Sequence, residues 1–207
     1  MTEQRTPAKV GGEMVRGNAR FVSGEPLHPR QDVERRAELA HQQAPTAALF
    51  GCSDSRLAAE IIFDKGLGDL FVVRNAGQVI SDSAIASLEY AVAVLQVPLI
   101  VVLAHDECGA VRAAIDSQEA DAPALPAHVA SLVERIVPAV RRVQETYGGA
   151  SDASEVGRQH LRNTISELLE RSELISDAVA EGTLGIVGAN YRLLEGTAVP
   201  DTAVGIL

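Results

Sequence analysis

Apolar residues along this chain fall into two patterns. Short unbroken runs at residues 46–50, 70–74, 99–104 and 183–187 read as strands, and the run at 99–104 is the fully buried kind found in parallel sheets. Longer segments repeat their apolar positions every three or four residues. Residues 81–95 are the clearest of these, with Ile85, Leu88, Val92 and Leu95 on one face. The same reading predicts helices over 13–22, 32–43 (Asp32 as N-cap), 57–63, 110–116, 128–147 with a kink at Pro138, and 160–180 stopped by Gly182. Residues 191–199, broken by Glu195 and Gly196, read as a terminal hairpin, and 116–126 and 147–154 as loops. Strands that alternate with helices predict an α/β fold, a mostly parallel central sheet flanked by helices. Residues 1–12 are polar with a Gly11-Gly12 pair and are expected to be a mobile lead-in, and 13–207 a single domain.

Two strands end on unusual chemistry. The run 46–50 leads into Gly51-Cys52-Ser53-Asp54-Ser55-Arg56, and 99–104 into His105-Asp106-Glu107-Cys108-Gly109. Ligands of open α/β sheets bind beyond the carboxyl ends of the strands, so Cys52, His105 and Cys108 are expected to meet there. Two thiolates and an imidazole with no fourth soft ligand nearby suit a catalytic zinc with one position left for water. Buried cysteines are also ordinary small hydrophobes, but these are the only two in the chain. Asp54 and Arg56, charged groups directly after a buried strand, add weight to the metal reading. His28 and His41 lie in polar segments and read as surface residues; His128 and His160 fall within helix patterns and read as structural.

At these residues the chain resembles the β-class carbonic anhydrases. The family's Cys-x-Asp-x-Arg motif stands as Cys52, Asp54 and Arg56, and its His-x-x-Cys-Gly motif as His105, Cys108 and Gly109. The likeness continues through residues 71–77, 89–92 and 184–188 to Tyr191. It departs from the family at Ala104 and Ala110, where glycine is usual. The resemblance implies reversible hydration of carbon dioxide to bicarbonate by zinc-bound hydroxide. It also implies that Arg56 draws Asp54 off the metal so that Asp54 can orient the hydroxide. Gln43, the Gly109 backbone, Phe71, Ala76 and Tyr90 match substrate-pocket positions, some of them supplied by a partner chain. The active unit is then a homodimer or a dimer of dimers, with the N-terminal helices lying across a neighbour. In acid Asp54 can take the fourth zinc position and close the site. Some members close on bicarbonate by means of a Trp three residues before the first Cys; here that position is Leu49, although Arg74 and Tyr191 are present. Carbonyl sulfide or carbon disulfide hydrolysis on the same fold, and a zinc-stabilised module without turnover, are the alternative readings.

Charge and composition narrow the partners. The net charge of −10 disfavours nucleic acid and anionic membrane surfaces. No apolar run approaches the ~20 residues that span a bilayer, and the first residues lack a signal-peptide core. Two cysteines needed as thiolates point to a reducing cytoplasm.

Overall fold

Five strands form one sheet in the order β2-β1-β3-β4-β5. The structure is a computed structural model and describes residues 5–149 and 152–205. The strands are β1 (Ala47–Cys52), β2 (Leu70–Asn75), β3 (Leu99–His105), β4 (Gly185–Arg192) and β5 (Thr197–Val204). Strands β1 to β4 run parallel to their neighbours, and β5 returns antiparallel to β4 as the terminal hairpin. Between β1 and β3 the strand order reverses direction, because the chain moves outward from β1 to β2 and then crosses to the other side. A crevice opens at such a switch point, beyond the carboxyl ends of the strands. Cys52 ends β1 and His105 ends β3, so both project into it.

Alternation along the central strands divides the core between two faces. Ala47 and Leu49 of β1 join Leu99, Val101 and Leu103 of β3 in one cluster. That face is covered by α1 (Pro7–Ser23), α3 (Ala59–Ile62), α5 (Gly109–Asp116), α6 (Ala127–Glu134) and α7 (Val137–Tyr147). Ala48 and Phe50 join Ile100, Val102 and Ala104 on the other face, beneath α4 (Asp82–Ala93), α8 (Ala153–Arg171) and α9 (Glu173–Ala180). Burial on both faces explains why these strands read as continuous apolar runs rather than alternating ones.

The structure departs from the sequence reading in several places: β4 runs on to Arg192 and α8 begins at Ala153, where the expected elements ended at 187 and began at 160. The first helix begins at Pro7 rather than residue 13, so residues 7–12 belong to α1 and not to a mobile lead-in; residues 1–4 lie outside the described residues. Thr6 caps it by accepting the Lys9 N–H, and Pro7 sits in the first turn, where a missing N–H costs nothing. This helix packs on its own chain, where the sequence reading gave it little core of its own. Val10 and Met14 are buried, and Asn18 donates to Ile62 O and Gly196 O at 3.1 and 2.8 Å. The second helix, α2 (Val33–Glu38), has Asp32 as its N-cap as expected but is shorter and buries none of its residues. The remaining departures are breaks: 128–147 divides into α6 and α7 with Pro138 in the first turn of α7, and 160–180 divides at Ser172, whose hydroxyl caps α9 by accepting the Ile175 N–H.

Candidate metal centre

The centre is built from two loops held in place by hydrogen bonds to their own backbone. After β1 the chain turns sharply, and Arg74 at the end of β2 fixes the turn from the side. Its Nε donates to Cys52 O at 2.8 Å and its Nη2 to Asp54 O at 2.6 Å. After β3 the Asp106 N–H donates to Tyr191 O at 3.1 Å, and Asp106 Oδ1 accepts the Leu193 N–H at 3.0 Å, tying the second loop to the end of β4. Cys108 then stands at the N-cap of α5.

Cys52 Sγ, Cys108 Sγ and a ring nitrogen of His105 lie within 4.8 Å of one another, and all three residues are buried. Among the described residues this is the one group of His, Cys, Asp and Glu placed to hold a metal ion. His105 Nδ1 is 2.7 Å from Asp106 O, and a carbonyl can only accept, so Nδ1 carries the ring proton. Nε2 is left as a lone pair facing the two sulfurs, buried and without a hydrogen-bond partner. A buried acceptor with nothing to accept is costly unless a cation takes the lone pair. This second contact of the histidine is the usual device for fixing the ligating tautomer.

The sulfurs are poised unequally. Cys52 is pulled down to about 4, first by the hydrogen bond from the Cys108 thiol, then, against the cost of burial, by His105 and the Gly77 N–H. Gly77 N donates to Cys52 Sγ at 3.3 Å. Cys108 is pushed up because it is the donor of that pair and is itself buried, with the Val111 and Ala110 amides at the start of α5 pulling the other way. Burial opposes charge on His105, but the negative charge gathered on the Cys52 sulfur raises it above its ordinary value.

Asp54 is turned toward Arg56 in a bidentate pair, Nε to Oδ1 at 2.9 Å and Nη2 to Oδ2 at 2.7 Å. The Arg56 N–H adds a third bond to Oδ1 at 2.9 Å, and Arg56 Nη2 reaches Glu107 O at 3.2 Å, linking the two loops. The Arg56 guanidinium holds the Asp54 carboxyl well below the usual carboxylate range, against a smaller effect of burial. Asp54 Oδ2 is 3.9 Å from His105 Nε2, at the edge of the ligand set.

The proposed pocket residues divide. Gly109 directly follows Cys108, and Ala76 follows Asn75, which pairs with Cys52 across the sheet, so both belong to this end of the molecule. Phe71 pairs with Ala48 and packs against Tyr90, the rings tilted by 36° with centroids 6.1 Å apart. Phe71 and Asn75 stand four steps of strand apart, about 13 Å at the usual rise. Gln43 is exposed and precedes Ala47 at that same amino end of the sheet. One protomer therefore does not bring Gln43, Phe71 and Tyr90 to its own centre. His28, His41 and His128 are exposed and away from the strand ends. Arg74, named in the sequence only beside closure on bicarbonate, and Gly77, given no role there, grip Cys52. An arginine closing an otherwise apolar strand beside a cysteine-bearing one was the available signal for Arg74.

Comparison with known proteins gives the same assignment from a different direction. The carbonic anhydrase family profile matches residues 47–198. A carbonic anhydrase of Mycolicibacterium smegmatis is 51% identical over 181 residues, 87% of this chain and 86% of that protein. Carbonic anhydrase 2 of Mycobacterium tuberculosis is 48% identical over 96% of this chain and 95% of its own length. Among solved structures, a β-carbonic anhydrase of the filamentous ascomycete Sordaria macrospora, one of two described as tetrameric, aligns with a TM-score of 0.73 at 25% identity, covering 82% of this chain and 87% of that one.

Proposed function

Because this chain belongs to the carbonic anhydrase family, and to its β class, we propose that it holds zinc and interconverts carbon dioxide and water with bicarbonate and a proton. The observation that carries the reading is the convergence of Cys52, His105 and Cys108 within 4.8 Å at the switch point of the sheet. Two sulfurs and an imidazole are a zinc donor set, whereas magnesium and calcium call for oxygen ligands. Zinc supplies Lewis acidity that brings the ionisation of a water toward neutral pH, less strongly here than with three neutral histidines because two thiolates offset its charge.

The chain's own residues do the rest. His105 presents Nε2 because Asp106 O holds the proton on Nδ1. Arg56 keeps Asp54 ionised and turned aside, so its carboxylate is an acceptor that orients the attacking water's proton rather than a fourth ligand. Carbon dioxide offers no strong hydrogen-bonding handle, so its pocket needs apolar walls. Phe71 and Tyr90, with the Gln43 amide for an oxygen, fit that need when a second copy of the chain brings its amino-end surface to this centre. Tyr90 is 45% exposed in the single chain, an aromatic surface such an association would cover. A dimer is then the smallest active unit, and a dimer of dimers is compatible with it.

Both cysteines are unpaired, which suits a cytoplasmic location. The charge of −10 disfavours nucleic acid as a partner, and no described helix is long and apolar enough to cross a membrane. Turnover of carbon dioxide, carbonyl sulfide and carbon disulfide by one zinc-loaded preparation tests the reading. Carbon dioxide is expected to be the preferred substrate by orders of magnitude. Preference for either sulfur compound would move the assignment to a hydrolase, and turnover of none would leave a structural zinc module.

A further inference from the structure

His160 is buried on α8, 4% exposed, far in sequence from every residue assigned above. Its Nε2 lies 2.7 Å from Gly77 O. A carbonyl oxygen only accepts, so the ring proton sits on Nε2. Burial keeps the ring below its ordinary value, against the Gly77 carbonyl and nearby negative groups. The N–H of the same glycine donates to Cys52 Sγ at 3.3 Å. The two bonds therefore grip the two peptide groups on either side of one Cα.

That Cα needs holding. Gly77 has φ +71° and ψ 16°, a left-handed conformation that glycine enters and leaves freely. No side chain can stiffen the position, because a Cβ there would stand 2.8 Å from Ala110 Cβ and 3.0 Å from Ile136 Cδ1. The restraint has to come from outside the loop. It comes from a helix of 19 residues packed against the sheet, on which Thr164 Oγ1 also bonds His160 O at 2.9 Å. A thiolate that accepts an N–H bond gives less charge to its metal, so the aim of the Gly77 amide bears on both affinity and acidity.

We propose that His160 is a positioning residue for the metal centre: by holding Gly77 O it keeps the Gly77 N–H directed at the Cys52 sulfur. The proposal rests on Cys52 being a zinc ligand, as argued above. It predicts that His160→Leu, which removes the donor, weakens zinc affinity in chelator competition by about 10- to 100-fold, the usual effect of losing such a support. The thiolate-to-cobalt absorption band of the cobalt-loaded variant should shift as well. His160→Gln, whose amide nitrogen can stand near the position of Nε2, should recover most of both. A folded leucine variant with wild-type zinc affinity and an unmoved cobalt band overturns the inference. So do leucine and glutamine variants that are weakened equally. Should the leucine variant not fold, histidine 15N spectra of the unaltered zinc-loaded protein decide. An Nε2–H tautomer whose slowly exchanging proton shifts when cadmium replaces zinc supports the link, and an Nδ1–H tautomer or a shift indifferent to the metal overturns it. Wild-type protein that takes up no zinc overturns the ligand assignment, and this inference with it. Normal zinc uptake that ignores His160 overturns the inference alone.

Discussion

Asp54 shows how a single residue's role depends on what holds it. Its carboxylate is depressed by Arg56, so the pair contributes stability at every pH above the ordinary carboxylate value of about 4. That contribution is lost only as pH falls through the still lower folded value. Asp54 therefore does not titrate between pH 6 and 9, and the rise of hydration rate in that window belongs to another group. Asp54→Asn is expected to lower kcat/KM about 10²- to 10³-fold, as loss of a preorganised polar contact does, without moving the midpoint of the pH profile. A midpoint that moves with this substitution would assign the titration to Asp54. Arg56→Lys keeps the charge but not the two-pronged geometry, and should leave Asp54 free to swing toward the metal. Crystals of the zinc-loaded wild type above pH ~8 are expected to keep Asp54 on Arg56, since hydroxide holds the fourth position well there.

The meeting of Cys52, His105 and Cys108 was legible in the sequence because each stands within a few residues of an apolar strand end. The pairing of Asp54 with Arg56 came only with the resemblance to the β class. Gly77 and His160 were not legible, because their bonds to Cys52 and to each other span sequence separations of 25 and 83 residues. A histidine in a helical pattern looks the same whether its ring meets a side chain, solvent or a distant carbonyl.

At the scale of elements, what the sequence missed follows from the same limit. The central strands β1 and β3 were found closely because burial on both faces leaves an unbroken apolar run, whereas β4 and β5 run five residues past their expected ends. Breaks between helices were missed where the breaking residue is locally neutral. Ser172 interrupts a helical pattern because its hydroxyl caps α9 and donates to Glu89 Oε1 at 2.6 Å, a contact 83 residues away. The early start of α1 carried a legible signal in Thr6-Pro7, masked by two glycines that lower helix propensity. Tertiary contact outweighs that cost. Gly17 of α1 crosses the end of α3 so closely that a Cβ would stand 1.9 Å from Phe63 O. Gly17→Ala should therefore dislodge α1 and cost about 1–3 kcal/mol, the range for overpacking, read as a lowered melting temperature. Beside it, the buried Asp64 carboxylate accepts the Leu27 and His28 N–H groups and Arg20 Nε at 2.6 Å. Burial pushes this carboxyl up, but those donors together hold it below its ordinary value. Its contribution is thus present above about pH 4 and lost in stronger acid. Asp64→Ala leaves the Leu27 and His28 N–H groups without their acceptor, while the third-exposed Arg20 head can turn to water, and should destabilise by about 1–3 kcal/mol. An unchanged melting temperature in urea or heat would show that α1 is not anchored there.

For the whole molecule, the metal centre sits at one end of the sheet and the Phe71–Tyr90 pair at the other. The resemblance implied that a partner chain supplies some pocket positions, but it did not say which of them one protomer keeps from its own centre. Sedimentation should find dimers or tetramers at micromolar protein, and Tyr90→Arg should shift the distribution toward monomer with parallel loss of activity. A monomer with full activity would contradict the shared pocket. The most direct test of the account is stopped-flow hydration of carbon dioxide by the purified protein, with zinc measured on the same samples. Wild-type protein is predicted to carry one zinc per chain and to accelerate hydration, while Cys108→Ala loses both together. Full hydration activity in a Cys108→Ala protein, or none in a wild type with one zinc per chain, would contradict it.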